Sequence, residues 1–257
     1  MPEGDTIHRI ARRLDAALVG RRLDRVTAVN PRSPLHRLAP DLSALEDRTV
    51  AGTDARGKHL LITIEGGTVI HSHLGMAGRW FVSADGRLPH GRPWLLLASG
   101  PAFAACSGGK ILRLTSAARA RNDPALRQLG PDPLAPDFDE RVAAKRLAGW
   151  EPTEPVGAAL LDQRLLAGVG NVIRIEALHL AAVSPWRTVG ELAEEEAAGI
   201  VRHTRWIMTT ALRKGRRPKR IYGSLARRPC PRCGGRIESR GQGDDNRVTY
   251  WCPGCQV

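Results

Sequence analysis

Four cysteines near the end of the chain constrain its fold more than any other feature. Cys230-x2-Cys233 and Cys252-x2-Cys255 stand eighteen residues apart, a spacing that suits two knuckles of a β-hairpin closed around one tetrahedral zinc ion. A module of this size, residues 226–257, is too small for a core of its own, so the metal must rigidify it. Four thiolates fill the coordination shell and leave no open position for chemistry, which makes the zinc structural. Cys106, the fifth cysteine, is expected to pack as a small apolar residue.

The remainder of the chain divides by periodicity. From Asp5 to Val19 the apolar positions Ile7, Ile10, Ala11, Leu14 and Leu18 recur at helical spacing, with Asp5 suited to the N-cap. Short segments rich in Val, Ile and Leu follow at Leu23–Val29, Leu60–Ile64, Thr68–His71, Trp94–Ala98 and Ile111–Leu114, separated by Gly and Pro turns as in a β-sandwich. Residues 130–136 have the composition of a linker. Beyond them the pattern is helical at Glu140–Ala148, Val156–Leu166, Asn171–Leu180 and Val189–Leu212. The expected architecture is α+β: an N-terminal helix plus β-sandwich over 1–130, a helical domain over 137–225, and the zinc hairpin over 226–257.

Lys and Arg outnumber Asp and Glu by 39 to 26, a net charge of +13 over 257 residues. That balance points to a polyanionic partner, nucleic acid ahead of an anionic membrane. No apolar stretch approaches the length of a membrane span. The first twenty residues carry Glu3, Asp5, Arg9, Arg12 and Arg13, which excludes the apolar core of a signal peptide. A soluble, cytoplasmic protein is expected.

Two further features carry chemistry. If Met1 is trimmed, Pro2 presents a secondary amine whose pKa, like that of other α-amino groups, leaves an unprotonated fraction near neutrality. Such an amine can attack an electrophilic carbon and form an iminium ion, with Glu3 close enough in sequence to move protons. The run from Leu160 to Asn171 reads as helix, Gly168-x-Gly170 turn, then a new helix. Its glycines let backbone approach a ligand, and the helix N-terminus offers amides to a phosphate.

Together these pieces resemble the formamidopyrimidine-DNA glycosylase/endonuclease VIII family of base-excision repair enzymes. The resemblance rests on Pro2-Glu3-Gly4-Asp5-Thr6-Ile7, Gly57-Lys58, His73-Leu74-Gly75-Met76-x-Gly78, Leu129-Gly130-Pro131-Asp132, Leu161-Asp162-Gln163 through Gly170-Asn171, Tyr222-Gly223 and the cysteine tail ending in Gln256. It spans nearly the whole chain. It implies a helix-two-turn-helix domain at the centre and damaged DNA as partner, bound by a monomer in the bacterial nucleoid. Pro2 would be the nucleophile on C1′ of an extruded nucleotide and Glu3 the proton donor to the sugar oxygen. Lys58 and Arg247 would hold phosphates beside the lesion. Asn171 and the Gly168/Gly170 turn would hold another, Met76 would fill the vacated stack, and Glu176 would be an auxiliary carboxylate. Zinc is the one cofactor implied.

Within that family the opening Glu3-Gly4-Asp5-Thr6 and the short connection from Leu212 to Tyr222 resemble the endonuclease VIII branch, which removes oxidised pyrimidines. His73-Leu74-Gly75-Met76 looks closer to the oxidised-purine branch. Where the family carries an arginine-phenylalanine wedge, this chain has Cys106-Ser107-Gly108-Gly109-Lys110. An oxidised-purine glycosylase and a non-enzymatic zinc-ribbon protein that binds damaged DNA are the alternatives.

Overall fold

Helix α1 (Gly4–Leu18) lines up Ile7, Ile10, Leu14 and Leu18 on one face, all buried, as an apolar stripe at helical period demands. The structure is a computed structural model that describes residues 1–38, 42–86, 91–243 and 245–257. The chain forms two compact units: Met1–Pro2 with Thr6–Arg127, and Glu3–Asp5 with Gln128–Val257. The zinc hairpin therefore belongs to the same unit as the helices, and so do the first two residues of α1.

The first unit is a β-sandwich. One sheet has strand order β2-β3-β4-β8, formed by Val50–Arg56, His59–Ile64, Thr68–His73 and Ile111–Ser116. The other has order β1-β6-β7-β5, formed by Arg25–Thr27, Leu95–Ser99, Ala102–Ser107 and Arg79–Ser83. Every pairing is antiparallel. Leu60, Ile62, Ile64 and Ile70 from the first sheet meet Trp80, Val82, Leu95 and Leu97 from the second, and α1 covers them with Leu14 and Leu18. Each such side chain contributes roughly 1.5–3 kcal/mol by leaving water. Cys106 is fully buried in this core, and burial pushes its thiol up to about 12.

The second unit is helical. Helices α4 (Glu140–Ala148), α5 (Val156–Ala159), α6 (Asn171–Ala181) and α7 (Glu194–Lys214) surround a core that includes Leu147, Leu160, Leu166, Ile173, Leu178, Ile200 and Met208. Two short helices, α2 (Ala117–Arg121) and α3 (Pro124–Arg127), close the first unit. The tail pairs β9 (Glu238–Gln242) with β10 (Arg247–Trp251) in a hairpin.

Several expectations need correction. Asp5 is not the N-cap of α1: it lies inside the first turn, and its carboxylate is taken by a two-pronged ion pair from Arg217, with Nε at 2.9 Å from both oxygens. The helix expected over Val156–Leu166 stops at Ala159. Asp162 accepts the Arg164 N–H at 2.8 Å, and such a side-chain turn competes with helix. The helix expected from Val189 begins at Glu194, because Thr188 and Glu191 cap a separate 3₁₀ turn at Val189–Glu191. Strands Val50–Arg56, Arg79–Ser83 and Ala102–Ser107 went unread. Residues 130–136 are no loose linker: Gly130 donates to Gln163 O and Pro131 O accepts from Ala167. A β-carbon on Gly130 would lie 2.3 Å from Arg164 O.

Candidate active site and nucleic-acid interface

In the second unit, Glu3 is 1% exposed. Its two carboxylate oxygens accept the backbone N–H groups of Val172 at 2.9 Å and Ile173 at 3.1 Å. These are first-turn amides of α6, which have no partner inside the helix, and a carboxylate is the group a helix N-terminus favours. The glycines flanking this contact are sterically required. A β-carbon on Gly170 would stand 2.4 Å from Cδ of Glu3, and one on Gly4 would stand 2.8 Å from Cα of Gly168. Gly168 itself has φ +84°, a conformation that favours glycine. Gln163 clasps the turn between the two helices: its amide donates to the carbonyls of Leu161 and Val169 and its oxygen accepts from Gly168 N.

Asn171 opens α6, and its side chain ties the helix to the zinc hairpin. Nδ2 donates to Val248 O at 2.8 Å, while Oδ1 accepts from Nε of Arg174 at 2.9 Å. Arg174 is fully buried, with its remaining donors on Gly157 O at 2.5 Å, Gln242 Oε1 at 2.7 Å and Thr249 Oγ1 at 2.6 Å. Burial and the nearby Arg247 charge lower its pKa to about 10. Arg247 begins β10 one residue before Val248, bonded through Nη2 to Asp245 at 2.8 Å. Glu3, Gly170, Asn171 and Arg247 are thus gathered around the start of α6.

Glu176, expected as an auxiliary carboxylate, lies one turn further along α6. It is buried, and its carboxylate accepts the N–H groups of Arg220 at 2.7 Å, Ile221 at 3.1 Å and Tyr222 at 2.9 Å. It holds the 220–222 segment in place. Burial, outweighing those three bonds, raises its pKa.

In the first unit, Lys58 occupies the two-residue turn between β2 and β3, and Met76 stands 75% exposed on the turn after β4. Strand register places both at one end of the same sheet: Arg56 pairs with His59, His59 with His73, and His73 with Ile111. His73 organises the Met76 turn, accepting Gly75 N–H at Nδ1 (3.1 Å) and Lys110 N–H at its carbonyl (2.7 Å). Gly78 fits because its missing β-carbon would lie 2.5 Å from Leu74 O. Burial, then the Lys58 and Lys110 charges, lower the His73 pKa. Behind it, His59 Nδ1 meets His71 Nε2 at 2.8 Å, and burial lowers these imidazoles to about 3 and about 4.

The sulfur atoms of Cys230, Cys233, Cys252 and Cys255 all lie within 4.8 Å of one another. Two pairs are closer, Cys230–Cys255 at 3.6 Å and Cys233–Cys252 at 3.4 Å. A tetrahedron with zinc–sulfur bonds of about 2.3 Å has edges of about 3.8 Å, so the set fits zinc. Gln256 anchors the second knuckle, accepting from Cys252 N at 2.9 Å and donating to Val183 O at 3.0 Å.

A two-unit protein with a buried carboxylate on a helix N-terminus, a basic surface and a four-thiolate hairpin defines a class of zinc-finger DNA-binding protein, and the comparisons narrow it. Residues 1–107 match the formamidopyrimidine-DNA glycosylase N-terminal domain, 129–221 its H2TH domain, and 228–257 the zinc finger found in FPG and IleRS. A Streptomyces coelicolor protein named probable endonuclease 8 2 is 40% identical, over 100% of this chain and 94% of that protein. A DNA-(apurinic or apyrimidinic site) lyase of Mycolicibacterium smegmatis is 39% identical over 100% and 99%. The Lactococcus lactis formamidopyrimidine-DNA glycosylase, solved bound to DNA containing an abasic site, superposes with TM-score 0.83 at 25% identity, covering 99% of each chain. The chain belongs to the formamidopyrimidine-DNA glycosylase family. Its four cysteines hold one structural zinc ion.

Sequence reasoning singled out the cysteines, Glu3 and Asn171 and named Gln163 without its clasp, but missed Arg174 and the Asp5–Arg217 pair. Arg174 is flanked by Ile173 and Ile175; an arginine inside an apolar run was the available signal. Among the described residues no helix is long and apolar enough to cross a membrane.

Proposed function

We propose that this protein is a bifunctional DNA glycosylase and abasic-site lyase of base-excision repair that works through a covalent bond between Pro2 and deoxyribose, with oxidised pyrimidines as its main lesions. The observation that carries the reading is Glu3: a carboxylate one residue from Pro2, fixed in direction by two helix amides and by the glycines around it. Fixed direction is what proton transfer in a transition state requires.

In this reading the unprotonated nitrogen of Pro2 attacks C1′ of the extruded nucleotide. The N–C1′ bond forms as the bond to the damaged base breaks, and the proton shed by the nitrogen leaves with the base. Glu3 protonates the ring oxygen, the C1′–O4′ bond opens, and an iminium results. Because the nitrogen is secondary, the iminium carries no N–H to lose and stays cationic, which acidifies the proton on C2′. Loss of that proton expels the 3′ oxygen; a second elimination expels the 5′ oxygen. Base excision and strand nicking thus share one intermediate.

Lys58, Arg247 and the start of α6 at Asn171 act as phosphate holders, since charge-assisted bonds are the strong ones and position the backbone without reading sequence. Met76 wedges into the stack in place of the extruded base, as exposed apolar side chains do in other DNA-kinking proteins. Glu176 is a positioning residue for segment 220–222. The pyrimidine preference follows from the short path between α7 and Tyr222, which leaves little chain to cover a bulky purine. The enzyme acts as a monomer in the cytoplasm, on the nucleoid.

Duplexes carrying thymine glycol, an oxidised purine or a bare abasic site, each treated with parent protein and with Pro2→Gly, test the reading. Parent protein should nick all three, thymine glycol faster than the purine, and Pro2→Gly should lose excision. Tight binding to all three without nicking would replace the enzyme with a damaged-DNA-binding protein. The reverse lesion order would move the chain to the purine branch.

A further inference from the structure

A pocket of about 430 Å³ lies between α7 and the strap at 215–220 that follows it. Five of its eight lining residues are cationic and none is acidic. Arg217 is committed to Asp5; Lys214, Arg216, Lys219 and Arg220 supply the remaining charge. The wall contributed by α7 is Trp206, Thr210 and Lys214, at successive intervals of four residues. Four residues advance a helix by about 6 Å and return to nearly the same face, so these three side chains form one stripe. Trp206 is 43% exposed, a large indole surface left in water beside a row of cations.

Cations that track a phosphate backbone, next to an aromatic platform, are the chemistry by which proteins hold unpaired nucleic acid. In a duplex the base faces are already stacked on one another and offer nothing to an indole. An acidic peptide would engage the lysines and arginines but leave the indole without a partner of its own kind. We propose that this pocket binds an unpaired segment of DNA, with one base stacked on Trp206 and the adjoining phosphates on Lys214, Arg216, Lys219 and Arg220. The choice of DNA over RNA rests on the repair function proposed above; the pocket chemistry stands without it.

The test uses the full-length zinc-loaded protein and lesion-free oligothymidylate, with intrinsic tryptophan emission and anisotropy as readouts. Binding should quench emission, and the quench should vanish in Trp206→Phe, which keeps an aromatic ring and part of the affinity. Trp206→Ala should weaken binding at least about fivefold, the scale of one lost base–aromatic stack. The pair Lys214→Glu and Arg216→Glu should weaken it further and flatten its salt dependence. Trp206→Phe and Trp206→Ala should nick an abasic duplex within about twofold of the parent rate, a difference too small to reflect a lost transition-state contact. Unchanged oligothymidylate binding in Trp206→Ala would overturn the proposal, as would equal competition by lesion-free blunt duplex. If oligothymidylate binds through Trp206 while the parent fails to nick the abasic duplex, the repair reading falls and the pocket stands. The opposite pattern removes the pocket alone.

Discussion

The second unit keeps ionisable groups inside and satisfies them with hydrogen bonds: Glu3 on the α6 amides, Glu176 on the amides of residues 220–222, Arg174 on Gly157 O and on the Gln242 and Thr249 side chains of the zinc hairpin. The first unit hides His59 and His71, each held neutral by burial with its pKa far below the ordinary imidazole range, as His179 is in the second. It leaves its DNA-facing candidate Met76 on an exposed turn. The contrast teaches where precision is needed. In the proposed mechanism proton transfer tolerates little misplacement, and Glu3 is clamped by two helix amides. The wedge proposed for Met76 would enter a yielding base stack, and Met76 stands exposed on its turn.

Metal removal should separate the two units most sharply. Structural zinc sites contribute about 10 kcal/mol or more to the folding of small fingers, and in this protein the hairpin also supplies the partners of Arg174 and Asn171. Chelation should therefore abolish nicking and lower the helical signal while the sandwich still melts cooperatively. Full activity after verified zinc loss would sever the proposed link from hairpin to α6.

Glu3→Gln comes next. It preserves shape and removes the proton carrier, so excision should fall by about 10²–10⁴-fold, the usual weight of a general acid. Gly170→Ala should mimic that loss while leaving the acid chemically intact, because its β-carbon would lie 2.4 Å from Glu3 Cδ and push the carboxylate off the helix amides. Normal activity in Gly170→Ala would show that the clamp is not needed.

Arg174→Met should cost about 3 kcal/mol of stability, since it strands buried acceptors on Asn171, Gln242 and Thr249. The deficit belongs to the second unit and should appear in differential scanning as a shift of one transition.

Acid should destabilise the first unit through His59 and His71, and the second through His179, which burial also lowers to about 4. The folded-state pKa values of His59 and His71 are depressed, to about 3 and about 4, so the unfolded chain binds more protons below pH 6.5. Their stabilising contribution is complete above that pH and is lost as pH falls from about 6.5 toward 4. At pH 5 the loss should be about 2 kcal/mol per imidazole, read as a drop in the melting temperature of the sandwich. His59→Gln should flatten the slope.

The smallest effects concern grip. Lys58→Ala and Arg247→Ala should each weaken lesion-DNA binding by roughly 1–3 kcal/mol. Met76→Ala should lower excision more than binding. If Lys58→Ala and Arg247→Ala leave binding unaltered, neither residue belongs to the interface.

The same contrast explains what the sequence disclosed. Cys230, Cys233, Cys252 and Cys255 were legible because metal geometry dictates spacing, and α1 because burial of one helix face dictates period. Gly57-Lys58 and Gly75-Met76-x-Gly78 were legible only through the family resemblance. Strands Arg79–Ser83 and Ala102–Ser107 escaped notice, since Phe81, Phe103 and Ala105 form an apolar layer on the outer face of their sheet and erase the alternation. Arg174 and the Asp5–Arg217 pair escaped because their partners lie up to 212 positions away, and no local pattern encodes such pairing. Asp162 and Thr188 broke two expected helices through side-chain turns that helical periodicity does not register.

The central claim is chemical and fits in one bond, from the imino nitrogen at position 2 to C1′ of deoxyribose. Reductive trapping on an abasic duplex, followed by proteolysis and mass mapping of the adduct, measures it directly. The account predicts a single modified peptide that starts at Pro2, with Met1 absent, and no adduct in Pro2→Gly on any lysine. An adduct mapped to a lysine, or full nicking activity in protein whose Met1 is retained, would contradict it.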